Sequence, residues 1–134
     1  MKLSNNKSRQ NYTNYMDRRA KTIFCDIDGT LVKHYGPVIT QKTDHKMEIL
    51  EGTLDKLAEW DKLGYNIILT TGRKESLRNI TEKQLEEVGI IYDQLIMGIG
   101  GGERILINDK KTDGAITAHS ICLDRDFGIQ SIEI

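Results

Sequence analysis

From residue 21 onward, short apolar runs rich in β-formers alternate with segments of helical period, and this alternation narrows the available folds more than any other feature. TIFCDI, YNIILTTG, DQLIMG, RILIND and SICLD read as strands. Between the first two, EGTLDKLAEWDKLG sets Leu54, Leu57, Ala58 and Trp60 on or near one face and ends on Gly64. TEKQLEEVG reads as a helix that opens with a capping box, Thr81 and Gln84, turns Leu85 and Val88 inward and stops at Gly89. Apolar strands separated by helices predict an α/β fold, a Rossmann-like three-layer sandwich with a mainly parallel central sheet. The 134 residues are enough for one such domain and too few for two.

What precedes residue 21 is different in kind. Residues 1 to 22 hold six Lys or Arg against one acid, Asp17, while the whole chain has a net charge of −1, so the remainder carries −6. Such an arm can contact nucleic acid. Its Asn, Ser and Lys content and near-absence of aliphatic residues favour a solvated leader over residues 1–20, ahead of a domain spanning 21–134. No apolar run reaches the roughly 20 residues of a membrane span, and the N-terminus lacks the apolar centre of a signal peptide. The expectation is a soluble, cytoplasmic protein with no membrane partner, in which Cys25 and Cys122 are reduced, packed thiols inside strands.

In parallel sheets ligands gather at the carboxyl ends of strands. Three polar clusters fall there: Asp26, Asp28, Gly29 and Thr30; Thr70, Thr71, Gly72 and Arg73; and Asn108, Asp109, Lys110, Lys111, Thr112 and Asp113. Carboxylates converging at strand ends are tolerated where a divalent cation neutralises them, and hard oxygen ligands suit Mg²⁺. Asp26 and Asp28 would project to opposite faces of an extended chain, so the backbone must curl after Asp26, and Gly29 permits the curl.

A strand ending in D-x-D-G-T-L, a later one ending in Thr-Gly-Arg and a third ending in N-D-x-x-x-D resemble, in order and spacing, the haloacid dehalogenase superfamily over residues 21 to about 127. The resemblance implies an Mg²⁺-dependent phosphatase. Asp26 is then the nucleophile that forms an aspartyl-phosphate, and Asp28 the general acid and base. Asp26, Asp109 and Asp28 (through its carbonyl) hold the metal, Asp113 supports its shell from outside or through water, and Gly29, Thr30, Thr71 and Gly72 meet the phosphoryl group. Relatives that store the phosphoenzyme have Thr in place of the second Asp, so DIDGT reads as hydrolytic.

One departure concerns the Lys that the superfamily usually carries in its third motif. Here the stretch is MGIGGGERILIND, with Ile99 where the Lys is expected. Arg73, Arg104 and Lys110 are the candidate replacement cations, although Arg104 stands five residues before Asp109, on the order of 16 Å along an extended strand. The Gly98–Gly102 run lacks the helix that a dinucleotide-binding loop opens onto and reads as a return connection. Residues 31–52 are too few for a cap domain. Capless relatives have sites that are open or closed by a neighbouring subunit in a homo-oligomer. A small phosphorylated substrate, first a sugar phosphate, is the expected partner. A nucleic-acid 3′-phosphate is the alternative, and a non-catalytic phosphate-binding or assembly module is the reading from another class.

Overall fold

The computed structural model describes residues 19–134; the expected leader lies almost wholly outside the described residues. Of these residues, Ala20–Gly102 and Leu123–Ile134 form one compact unit, and Arg19 with Glu103–Cys122 belongs to a second.

The first unit is built on a parallel sheet of β1 (Thr22–Asp26), β2 (Asn66–Thr70) and β3 (Gln94–Ile96), in that spatial order. The crossover from β1 to β2 contains a one-turn helix α1 (Pro37–Thr40) and the longer α2 (Thr53–Lys62). That from β2 to β3 contains a 3₁₀ turn (Glu75–Leu77) and α3 (Arg78–Glu87). Only α1 and irregular chain separate Thr30 from α2, so no cap domain stands there. Among the described residues, no helix is long and apolar enough to cross a membrane.

β2 is central, and its Ile67, Ile68 and Leu69 are all buried, which is why it reads as a continuous apolar run rather than an alternating one. The register sets Cys25 beside Leu69, Asp26 beside Thr70, and Thr70 beside Ile96. The carboxyl ends of the three strands are therefore level, and the loops leaving them share one edge.

Helix α2 buries Thr53, Leu57 and Trp60 at i, i+4 and i+7, and Leu57 and Trp60 belong to the core cluster that includes Ile67, Leu69, Leu85 and Ile129. Leu54 and Ala58, expected on the inner face, are exposed, because Thr53 takes the inward position and donates its hydroxyl to the Leu31 carbonyl at 2.7 Å. Leu85 is buried and Val88 partly buried, as expected, and the chain leaves α2 and α3 through Gly64 and Gly89. The start of α3 differs. It begins at Arg78, so Thr81 and Gln84 are not a capping box but buried mid-helix residues. Both are bonded to Arg73 of the preceding loop.

Two expected strands are absent. RILIND and SICLD lie outside every strand of the structure. Ile105 and Ile107 are 82% and 88% exposed, and β-propensity without a neighbour to complete a ladder does not make a strand. Within this second unit the chain turns on itself instead. Gly114 N donates to Lys111 O, Lys111 N to Ala115 O, and Asn108 Nδ2 to the Thr117 hydroxyl.

The two cysteines differ accordingly. Cys25 is packed in β1, and burial, reinforced by the adjacent Asp26, pushes its thiol up to about 12. Cys122 is exposed rather than packed in a strand. At pH 8 the native chain is expected to titrate one thiol with an aromatic disulfide reagent and two after denaturation; rapid reaction of both in the native state contradicts the packing of β1.

Candidate active site

β1 ends on Asp26, which is exposed, and the chain then curls as the D-x-D spacing requires. Thr30 N and Leu31 N donate to Ile27 O at 3.1 and 2.9 Å, and Gly29 N donates to Val32 O at 2.7 Å. Gly29 sits at φ +90°, where a side chain is strained, so this tight turn selects glycine. Gly29 and Thr30 therefore have their N–H groups consumed by the turn. Thr30 instead reaches back with its hydroxyl, donating to Asp26 Oδ2 at 3.2 Å.

Asp28 has a different environment, half-buried and gripped by Arg73. Arg73 Nε donates to Asp28 Oδ2 and Nη2 to Oδ1, both at 2.8 Å, a parallel fork in which both carboxylate oxygens are engaged. The remaining guanidinium nitrogen, Nη1, donates to Gln84 Oε1 at 2.7 Å and Thr81 Oγ1 at 3.3 Å. Gln84, 2% exposed, passes the chain on by donating from Nε2 to the Thr40 carbonyl at 2.9 Å, at the end of α1. A buried polar line thus runs from Asp28 through Arg73 and Gln84 to α1. The Arg73 side chain is 6% exposed, so its fork faces protein rather than solvent.

At the end of β2, Thr71 is buried and its hydroxyl oxygen accepts from Arg73 N at 3.1 Å, which leaves the hydroxyl hydrogen for another acceptor. Gly72 is exposed, and a Cβ there would meet the Gly100 carbonyl at 3.0 Å. The glycine run after β3 crosses this loop, with Gly98 N donating to Arg73 O and Ile99 N to Thr71 O. The return connection expected of this run is thus tied to the Thr71–Gly72–Arg73 turn, and Ile99 brings it no charge.

Arg104, Asp109, Lys110 and Asp113 all lie in the second unit and are exposed. There Asp113 Oδ1 accepts from Ala115 N at 2.9 Å, and the Asp109 carbonyl accepts the Thr117 hydroxyl. Among the described residues, no group of three or more His, Cys, Asp or Glu side chains is gathered to hold a metal, so neither unit assembles by itself the four-aspartate set expected from the sequence. What the first unit offers is the Asp26 carboxylate and the Asp28 main-chain carbonyl, which accepts no backbone hydrogen bond in the turn. These hard oxygens fit a Mg²⁺ ion that keeps several waters.

Sequence reasoning missed one participant. Arg125 lies against the Asp26–Thr30 turn, its Cγ 3.3 Å from where a Cβ of residue 29 would stand. Asp126 N donates to Gly29 O at 2.9 Å, and Asp126 Oδ1 accepts from His34 N at 2.8 Å. No local spacing signals a contact made across so much of the chain.

A parallel sheet with two aspartates on a tight turn after its first strand, and a Thr-Gly-Arg turn after the next, is the frame of one hydrolase class. A model of the haloacid dehalogenase-like hydrolases matches residues 23–121, and the chain belongs to that family. No curated protein matches the chain at significant similarity.

Among solved structures, a chain of the Pnkp1/Rnl/Hen1 complex is 28% identical, with a TM-score of 0.52 over 66% of this chain and 32% of that one. The present chain thus spans about a third of that relative. A crystallised target from Vibrio cholerae is 19% identical (TM-score 0.47; 66% of this chain, 79% of that one). The D,D-heptose 1,7-bisphosphate phosphatase of B. bronchiseptica, complexed with magnesium and phosphate, is 17% identical (TM-score 0.43; 73% and 55%).

The Asp28–Arg73 fork is mostly buried, so removing its cation strands a carboxylate and two polar helix residues. Arg73→Ala is expected to lower stability by about 3 kcal/mol, read from the urea midpoint at constant slope. Arg73→Lys, which keeps the charge but loses the fork, should recover only part of it.

Proposed function

We propose that the chain is an Mg²⁺-dependent phosphomonoester hydrolase that works through an aspartyl-phosphate on Asp26. The observation that supports this most is that two carboxylates on one turn have unequal surroundings. Asp26 is exposed at the strand end and accepts the Thr30 hydroxyl on Oδ2, whereas both oxygens of Asp28 are held by Arg73. One carboxylate is exposed to solvent, as a nucleophile must be to meet its electrophile, and the other is fixed in orientation for proton transfer.

In the first step an Asp26 oxygen attacks phosphorus, the bond from phosphorus to the ester oxygen breaks, and Asp28 gives its proton to the departing oxygen. In the second, Asp28 takes a proton from water, the resulting hydroxide attacks the same phosphorus, and Asp26 leaves as a carboxylate with inorganic phosphate. Each Asp28 oxygen that accepts from Arg73 has a second lone pair, which can carry the proton. Arg73 is on this reading a positioning residue, held in turn by Thr81 and Gln84. The Thr71 hydroxyl hydrogen and the backbone near Gly72 meet the phosphoryl oxygens.

Asp26 and the Asp28 carbonyl would hold Mg²⁺, with Asp109 as the further ligand and Asp113 as the support from outside or through water that the resemblance implies. The ion would supply charge neutralisation for the transferred group. Lys110 and Arg104 remain proposed contacts to substrate. The substrate class proposed is a phosphorylated sugar or similar metabolite, for which an uncapped site leaves room.

Wild-type protein is expected to release phosphate from p-nitrophenyl phosphate when Mg²⁺ is present and to stop when it is chelated. Asp26→Asn should abolish turnover with the fold intact; more than about a tenth of wild-type activity rejects the covalent route. Asp28→Asn keeps the nucleophile but loses the base, so rapid-quench labelling with radioactive substrate should show phosphoenzyme accumulating. Wild-type rates in Asp28→Asn would assign proton transfer elsewhere. Absence of any turnover favours a phosphate-binding or assembly module.

A further inference from the structure

The sequence leaves the third-motif position without a cation, and the structure engages two nearby basic residues elsewhere. The Arg73 fork is bound to Asp28, Thr81 and Gln84. Lys33 lies over the Tyr35 ring at 5.5 Å and 3.9 Å from Glu48. Arg125 is placed differently. Its stem lies along the turn, with Nε 3.8 Å from the Cβ position of residue 29, and its side chain is exposed. No ion pair or hydrogen bond among the described residues engages its guanidinium; the carboxylate next to it, Asp126, instead accepts from His34 N.

The backbone that carries Arg125 is held hard in place. Asp126 is the one non-glycine among the described residues with positive φ, at +63°, a conformation that persists when its surroundings fix it. They do: Asp126 N bonds Gly29 O, and Asp126 Oδ1 takes the His34 N–H. A little further on, Ile129 N donates to Glu51 O, and a Cβ at Gly128 would come within 2.5 Å of that oxygen. A guanidinium carried on a fixed backbone, with its stem against the turn and its fork unengaged, is available to a planar or tetrahedral oxyanion.

Which oxyanion follows from the turn. Thr30 reaches Asp26, where phosphorus is attacked, whereas Arg125 and the His34 Cβ, 3.8 Å from the same Cβ position, stand at Gly29. We infer that Arg125 binds a second anionic group of the substrate, a phosphate or carboxylate beside the one transferred, and so selects substrates with two anionic groups. This rests on the hydrolase reading above.

The test titrates the full-length protein, by calorimetry in Mg²⁺, with α,ω-alkylbisphosphonates of increasing length and their monophosphonate counterparts. The wild type is expected to bind at least one bisphosphonate about tenfold more tightly than its monophosphonate, the scale of one charge-assisted contact. Arg125→Ala should abolish that preference and Arg125→Lys restore part of it. A wild type with no preference, or a preference that survives in Arg125→Ala, overturns the assignment. Equal losses for both ligand types also overturn it, since Arg125 would then serve the transferred group. Phosphate release from p-nitrophenyl phosphate and from the matching α,ω-alkanediol bisphosphates, measured on the same wild-type sample, tests the hydrolase reading separately: a bisphosphonate preference lost in Arg125→Ala with turnover of neither substrate type supports the anion site and rejects the enzyme.

Discussion

The bidentate pair between Asp28 and Arg73 is the contact that joins the loops at the carboxyl edge of the sheet. Each partner comes from a different loop, one after β1 and one after β2, and the parallel register that sets Asp26 beside Thr70 brings those loops together. Burying such a pair costs desolvation that Coulomb attraction alone rarely offsets; the additional acceptors on Arg73 matter for that reason. Thr81 and Gln84 supply them from inside α3. With Gln84 bonded also to the Thr40 carbonyl, the sheet, α3 and α1 are tied through polar contacts that an apolar core would leave free to slide.

The same arrangement gives two neighbouring carboxylates different surroundings, as the proposed mechanism requires. Asp26 and Asp28 are two residues apart, yet one is the exposed terminus of a strand and the other is clamped half-buried in a turn. The difference comes from backbone geometry rather than from composition. Once the chain curls at Gly29, alternate residues no longer face opposite sides of a sheet, and each side chain meets its own surroundings.

β2 is the most legible strand because it is buried on both faces, with Ile67, Ile68 and Leu69 all inside, whereas β1 and β3 bury only Cys25 and Leu95. TIFCD and QLI nonetheless read as apolar runs and pair along the two sides of NIILT, and this pairing gathers at one edge the polar residues that follow the strands. RILIND has the same signature and forms no strand, since the pattern records suitability for a ladder and not the partner that completes one. Thr81 and Gln84 mislead because a capping box and a pair of side chains one helical turn apart have the same spacing; their partner, Arg73, reaches them from outside the helix. Arg125 leaves no trace in the local pattern at all. Its place against Gly29 depends on a contact between segments 96 positions apart, by their numbering in the sequence.

The hydrogen bond from His34 N to Asp126 joins residues 92 apart in the chain. On a ribosome adding about 5–20 residues per second, on the order of 5–20 s separate the emergence of the two. For that interval the turn carrying Asp26 and Asp28 exists without its brace. A nascent chain can thus order β1, α2 and β2 early and still expose an unfinished turn, a state open to a chaperone, a protease or a premature ligand. The arrival of the segment that carries Asp126 ends this vulnerable period.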